Sequence, residues 1–161
     1  QSPSLFMHKE LILDKTSASK TSQKFRQLWH LAPNMKTSKG KRGVVTAVPN
    51  SGENAKLWMI PVDMDGGNIR TSSTDVIKGR TLPRQGWVSE KMLDRQKAPA
   101  VQMSSSGRSA EMLTVMVPTS KQAKVTTSIK GIGNGNKQLT VTIDGKAHKF
   151  KITPDGKIQA L

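Results

Sequence analysis

The chain has 161 residues, enough for one domain (1–161), and its 26 lysines and arginines outnumber 11 acidic residues, giving a formal net charge of +15. It contains no cysteine, which excludes disulfides and thiol nucleophiles, and no apolar run reaches the roughly 18 residues of a membrane-spanning helix. The charge favours a polyanionic partner (nucleic acid, anionic polysaccharide or an acidic surface), although charge alone also keeps a basic protein in solution.

Apolar residues come in short runs that Gly, Pro, Asn, Asp or Ser interrupt about every 8–12 residues, as is typical of antiparallel strands. We therefore predict an all-β fold, an antiparallel β-sandwich of about ten to twelve strands in a single domain. The segments with the clearest strand pattern are residues 4–14, 23–32, 43–48, 55–63, 98–104, 111–118, 123–129, 137–144, 146–153 and 157–161.

The segment KFRQLWHLAPN (24–34) is the most distinctive in the chain. In a strand, successive side chains point to opposite faces of the sheet. This alternation places Gln27 and Trp29 on one face, where we expect Trp29 to pack in the core. Lys24, Arg26 and His30 share the other face, which is basic, and we predict that they contact an anionic ligand.

Two segments in the middle of the chain, KLWMIPVD (56–63) and EMLTVMVP (111–118), are apolar on both faces. This pattern predicts central strands that are covered on each side. Pro61 has no N–H to donate, so it predicts an edge, a bulge or a strand end. The loop KGRTLPR (78–84) carries three further predicted ligand contacts, Lys78, Arg80 and Arg84.

The C-terminal segment predicts a hairpin whose turn is Asp144–Gly145, a pair that favours the positive φ angles of a two-residue loop. That turn places Val141 opposite His148 on a largely apolar face, so we expect His148 to be a partly buried strand residue. Lys149 and Lys151 fall on the opposite, solvated face. A polyanion can lie across that face, and edge-strand lysines also discourage aggregation.

Sequence motifs for catalysis, metal binding and nucleotide binding are absent. The chain has no Gly-x-Ser-x-Gly and no tyrosine, and its three histidines lack metal-ligand spacing. GIGNGN (131–136) joins two predicted strands and opens no helix, and DMDGGN (63–68) lacks the terminal glutamate of a calcium loop, so we interpret it as a turn. No known nucleic-acid-binding motif is recognisable either. We therefore predict no catalytic residue, no metal and no cofactor.

Several motifs follow one another along the chain: HKELILD (8–14), WHLAP (29–33), GWVSEKMLDRQKAPAV (86–101), GRSAEMLTVMVP (107–118) and a closing DGK hairpin. Their order resembles that in the C-terminal β-sandwich of heparinase II/III-like polysaccharide lyases. The resemblance covers most of the chain and implies a secreted or periplasmic module whose partner is an N-terminal helical lyase domain. It also implies that His30 occupies a position where the family has a histidine near its metal site.

The sequence leaves three functions open. One is part of a lyase that performs β-elimination together with a helical domain. Another is a nucleic-acid binder that relies on phosphate charge. We expect no membrane partner and regard nucleic acid as the weaker candidate. The function that we favour is an ancillary module that holds a uronate-containing or sulfated polysaccharide. Its predicted ligand contacts are Lys24, Arg26, His30, Lys78, Arg80, Arg84, Lys149 and Lys151.

Overall fold

The computed structural model describes residues 9–17, 20–65 and 74–161. Within these ranges the chain is almost entirely β, with one short 3-10 turn at Lys41–Gly43 and no α-helix, so the predicted all-β class is confirmed. No helix in these ranges is long and apolar enough to cross a membrane. The strands are β1 (Glu10–Ser17), β2 (Gln23–His30), β3 (Met35–Lys39), β4 (Val45–Pro49), β5 (Lys56–Val62), β6 (Thr74–Lys78), β7 (Trp87–Val88), β8 (Gln96–Lys97), β9 (Pro99–Gly107), β10 (Ser109–Thr119), β11 (Val125–Gly131), β12 (Lys137–Ile143), β13 (Lys146–Ile152) and β14 (Ile158–Ala160).

These strands form four separate sheets. The largest has five strands in the order β1-β10-β5-β4-β3, the next has four in the order β11-β12-β13-β14, and the third has three in the order β2-β9-β6. The fourth is a two-stranded arm, β7-β8. Every pair of neighbouring strands is antiparallel, as the sequence predicts.

The five-stranded sheet lies between the four-stranded and the three-stranded sheets, because both of its faces are apolar. One face of β10, with Leu113, Val115 and Val117, belongs to a core shared with the four-stranded sheet. The other face carries Met112 and Met116, which pack on a second core shared with the three-stranded sheet. Alternation along one strand thus supplies both cores. The domain is a β-sandwich of three layers with the five-stranded sheet in the middle.

The two segments predicted to be covered on both faces are β5 and β10, which pair side by side inside the five-stranded sheet. Pro61 of β5 is opposite Thr114 of β10, and the ladder between β5 and β4 ends at Met59. Pro61 therefore lies beyond the last residue of β5 that β4 pairs with, where a missing N–H interrupts no ladder on that side. The pairing of β5 therefore ends before Pro61 on the side of β4, whereas on the side of β10 it continues through Pro61 to Val62.

The C-terminal hairpin has the predicted register. Asp144 and Gly145 have φ angles of 48° and 83°, and Val141 is opposite His148 on β13. His148 is half-buried, as expected, and burial, with smaller contributions from the charges of Lys9 and Lys146, lowers the pKa of His148 below its ordinary value of 6.5. The turn chemistry and the alternating pattern were therefore sufficient to predict this hairpin.

The strand count differs from the prediction, because fourteen strands form within the described ranges against an expected ten to twelve. Each of the predicted segments overlaps a strand, although residues 4–8 of the first lie outside the described part of the chain. The strands that the sequence did not indicate are β3, β6, β7 and β8. Their sequences, MKTSK, TDVIK, WV and QK, are too polar or too short to show alternation, and they form because neighbouring strands pair with them.

Candidate functional site: a basic groove on the three-stranded sheet

A groove of about 980 Å³ lies on the outer face of the three-stranded sheet, opposite the face that packs on the core. Part of its floor consists of alternate residues of β2, namely Lys24, Arg26, Leu28 and His30, all of which are exposed. Trp29, which lies between two of them, packs against the core. The predicted division of β2 into a basic face and a core face is thus confirmed, and the stretch from Lys24 to His30 spans about 20 Å.

The rest of the floor comes from the two neighbouring strands. Leu28 on β2 is opposite Gln102 on β9, and Gln102 is opposite Asp75 on β6. Directly opposed residues of antiparallel strands share a face, so these three side chains form one row across the floor. We call it the central row. Arg26 and His30 lie on either side of the central row along β2.

The loop after β6 forms one wall of the groove, because it folds back on the strand as a small hairpin. The backbones of Arg80 and Gln85 exchange N–H···O hydrogen bonds of 2.9 and 3.1 Å, and the N–H of Gly79 donates to the carbonyl of Gly86 at 2.8 Å. Gly86 has a φ of +75°, and a Cβ there would lie 2.5 Å from the carbonyl oxygen of Ile77. Only glycine allows the loop to lie this close to β6.

Side chains fix this wall in place. The indole N–H of Trp87 donates to the carbonyl of Arg80 at 2.8 Å, and the Lys97 ammonium lies 5.8 Å from the centre of the Trp87 ring. The guanidinium of Arg80 donates to Oε1 of Gln85 at 2.5 Å, and Nε2 of Gln85 donates to Oε1 of Gln102 at 3.3 Å. The wall is therefore connected to the floor through a chain of hydrogen bonds.

The groove carries a strong excess of positive charge. Among the described residues, Asp75 is the single carboxylate that lines it. The ion pairs found in the same ranges, Lys15–Glu111, Lys137–Asp65 and Lys157–Asp155, all lie elsewhere. The positive charge is thus available to a ligand. The groove's basic side chains are Lys24, Arg26, His30, Arg80, Arg84 and Arg95.

The structure brings together five of the eight predicted ligand contacts: Lys24, Arg26, His30, Arg80 and Arg84. It does not bring the other three into the groove. Lys78 is the last residue of β6, and its ammonium is directed to the carbonyl of Pro33, 3.5 Å away. Lys149 and Lys151 lie on β13 in the four-stranded sheet, which packs on the opposite side of the five-stranded sheet. Alternation groups residues within a strand but cannot show which sheets adjoin.

The groove residues that were not identified from the sequence include Asp75, Trp87, Arg95 and Gln102. Trp87 and Arg95 lie in or beside the β7-β8 arm, whose two-residue strands leave no periodic signal. Gln102 is the one polar residue in the run PAVQM of β9, and that isolated position was the available clue to an outward-facing site. Asp75 belongs to β6, a strand that the sequence did not predict.

A second cavity, of about 590 Å³, includes the start of the DMDGGN segment. Residues 63–65 enter a turn in which the N–H of Asp65 donates to Oδ1 of Asp63 at 3.0 Å; residues 66–68 lie outside the described ranges. The Lys137 ammonium contacts the carbonyl of Met64 and lies 3.3 Å from Oδ1 of Asp65. The positively charged Lys137 thus lies next to the oxygens of Met64 and Asp65. In the described ranges no three His, Cys, Asp or Glu side chains are grouped to hold a metal.

Comparisons with known proteins add no relative to this description. No family model, no curated protein and no solved structure matches the chain. The fold assignment therefore comes from the strand topology, and the groove from its own geometry. The likeness to heparinase II/III-like lyases continues to be an expectation drawn from the sequence motifs.

Proposed function

We propose that the chain is a binding module that holds an anionic polysaccharide, with uronate or sulfate groups, in the basic groove and does not itself cleave it. The observation that carries this proposal is that basic residues from separate parts of the chain lie side by side. Three basic residues of β2 share one groove with Arg80, Arg84 and Arg95, which lie at least fifty positions further along the chain. A local run of charged residues in the sequence does not produce such a cluster, because the cluster depends on how the sheet is assembled.

The shape of the groove supports a polymer as the ligand. The row of side chains on β2 is about 20 Å long, so it spans several sugar units of an extended chain. Guanidinium groups form paired, charge-assisted hydrogen bonds with carboxylates and sulfates, and the groove offers three arginines besides Arg26. Since no carboxylate of the described residues pairs with them, a ligand need not displace an internal partner.

The polar lining favours sugar over nucleic acid. The amide side chains of Gln85 and Gln102 and the hydroxyl of Ser89 lie beside the charges, and such groups suit the many hydroxyls of a glycan. Trp87 is the single aromatic residue that lines the groove in the described ranges, and one ring is enough to support one sugar. Binding of single-stranded nucleic acid relies on several aromatic rings on which successive bases stack. The resemblance to polysaccharide lyases supports the same class of ligand.

A charge-matched pair of double variants tests the location of the site. Lys24→Ala/Arg26→Ala removes two charges from the groove, and Lys149→Ala/Lys151→Ala removes two from β13. We expect the first to weaken binding to heparin and alginate about tenfold and the second less than twofold, since an exposed ionic contact contributes about 0.2–1 kcal/mol. Calorimetric titration at fixed salt gives both values. Equal losses would show that only net charge matters and would refute the groove.

The class of ligand is tested with the unaltered protein. We expect heparin or alginate to bind more tightly than single-stranded DNA of equal charge at every salt concentration. If DNA binds as well, with a steep decrease in affinity as salt rises, the protein is a general phosphate binder. Absorbance near 232 nm, where unsaturated uronates absorb, should stay constant during incubation with either glycan. A steady increase would instead identify a lyase.

A further inference from the structure

The central row has a composition that differs from the rest of the groove. Its three members are an apolar residue, an amide and a carboxylate: Leu28, Gln102 and Asp75. A carboxylate in the middle of a site for polyanions opposes binding unless the ligand is uncharged at that point. We propose that the central row is a subsite for a neutral sugar, so that the groove selects polysaccharides whose charged units alternate with uncharged ones. This inference rests on the function proposed above.

The position of the central row fits such a ligand. Along β2, Arg26 precedes Leu28 by two residues and His30 follows it by two, so each basic side chain is about 7 Å from the central row. Across the sheet, Asp75 is two strands away from β2, at roughly 10 Å. Charged groups on either side of a neutral sugar thus meet Arg26 and His30, while the sugar between them meets the central row.

Each member of the central row suits an uncharged sugar. Asp75 is exposed and its side chain forms no hydrogen bond or ion pair within the described ranges, so its carboxylate can accept hydrogen bonds from two sugar hydroxyls. Gln102 is held by Gln85, whose Nε2 donates to its Oε1 at 3.3 Å, and this leaves the amide N–H groups of Gln102 to donate. Leu28 is 42% exposed and offers an apolar surface to the C–H groups of a ring.

The simplest competing explanation is that Asp75 only reduces repulsion among the cations of the groove. In that case its removal would strengthen binding of every anionic polymer to a similar extent. If the subsite is selective, removal of the charge strengthens the binding of polymers that carry a charge on every sugar. It does not strengthen the binding of polymers whose charged sugars alternate with neutral ones. The Asp75→Asn variant separates these explanations, because it removes the charge while it keeps the size and most of the hydrogen-bonding capacity of the side chain.

The experiment compares two oligosaccharides of equal sugar number, one of hyaluronan with a carboxylate on every second sugar, and one of polyguluronate with a carboxylate on every sugar. Affinities are measured calorimetrically for the unaltered protein and for Asp75→Asn. We expect the variant to bind oligoguluronate about fivefold more tightly, because a like charge at contact distance in water is removed. Binding of the hyaluronan oligosaccharide should stay the same or weaken.

The control is Glu53→Gln, which makes the same change in net charge at an exposed position outside the groove. It should change the affinity for the two oligosaccharides by the same small factor. Equal gains for both ligands in Asp75→Asn would overturn the neutral subsite and leave polysaccharide binding intact. If neither oligosaccharide binds the unaltered protein, and heparin and alginate also fail to bind, the proposed function is wrong and the subsite with it.

Discussion

Gln27 shows how a single buried residue joins two layers of the sandwich. It lies on the core face of β2 with 5% of its surface exposed. Its amide nitrogen donates to Oδ2 of Asp14 at 2.8 Å and to the carbonyl of Met112 at 3.1 Å, and its oxygen accepts from the Thr114 hydroxyl at 2.7 Å. All three partners belong to the five-stranded sheet. Gln27 therefore provides a polar connection between that sheet and β2, one of the strands that form the floor of the groove.

We expect Gln27→Ala to lower the free energy of unfolding by about 2–3 kcal/mol, because it leaves buried partners unsatisfied and opens a cavity. Urea denaturation measures the change. The matched control is Gln23→Ala, on the same strand but exposed, whose side-chain amide donates to the exposed hydroxyl of Thr21; this variant should change stability by less than about 0.5 kcal/mol. Similar small changes in both variants would mean that the connection contributes little.

At the scale of the element, the wall of the groove depends on one glycine. The carbonyl of Gly86 accepts hydrogen bonds from the N–H groups of Gly79 and Ala98, at 2.8 and 3.0 Å, so it ties the loop both to β6 and to the start of β9. A Cβ at position 86 would also lie 2.8 Å from the backbone nitrogen of Gly79. A side chain there must push the loop away from the strand.

We expect Gly86→Ala to weaken polysaccharide binding severalfold and to increase amide hydrogen exchange at Gly79 and Ala98, since the wall can no longer close on β6. Gly52→Ala is the control: Gly52 also has a positive φ, of +81°, but an added Cβ would meet nothing within 4 Å. That variant should lose about 1 kcal/mol of stability through backbone strain alone and bind normally. Normal binding by Gly86→Ala would show that the wall does not contribute to the binding site.

The elements also show what a sequence can and cannot predict. The β12-β13 hairpin was predictable in full, because a two-residue turn fixes the register locally. The basic face of β2 was predictable from alternation within one strand. The groove as a whole was not, since it needs β6, which forms only by pairing with the distant strand β9, and the β7-β8 arm, whose two-residue strands are too short to show alternation. Arg95 and Trp87 lie in or beside that arm, so no local pattern marked them as part of the site.

At the scale of the whole molecule, the charge of +15 faces few internal counter-charges. The ion pairs of the described residues number three, and their side chains are at least partly exposed. Exposed pairs contribute little to stability, whereas repulsion within a highly charged protein opposes the compact state. The fold is therefore held by its two apolar cores against a net electrostatic repulsion.

We expect the thermal midpoint to rise by several degrees as sodium chloride increases from about 0.02 to 0.3 M, because the Debye length falls and the repulsion is screened. Differential scanning calorimetry measures the shift. In low salt, Lys149→Ala/Lys151→Ala should melt at a higher temperature than the unaltered protein, since it removes two positive charges. A midpoint that falls with salt would show that attractive pairs dominate instead.

The alternation along β2 has a consequence for how this domain can change over evolutionary time. Positions 24, 26, 28 and 30 face the groove, while Gln27 and Trp29 face the core, and the two sets share a backbone but no side-chain environment. Substitutions in the first set can therefore alter ligand preference at little expense in stability. An insertion or deletion of one residue, in contrast, would exchange the two sets and disrupt both. Descendants of this sequence should thus diversify by point substitution within β2, while its length stays constant.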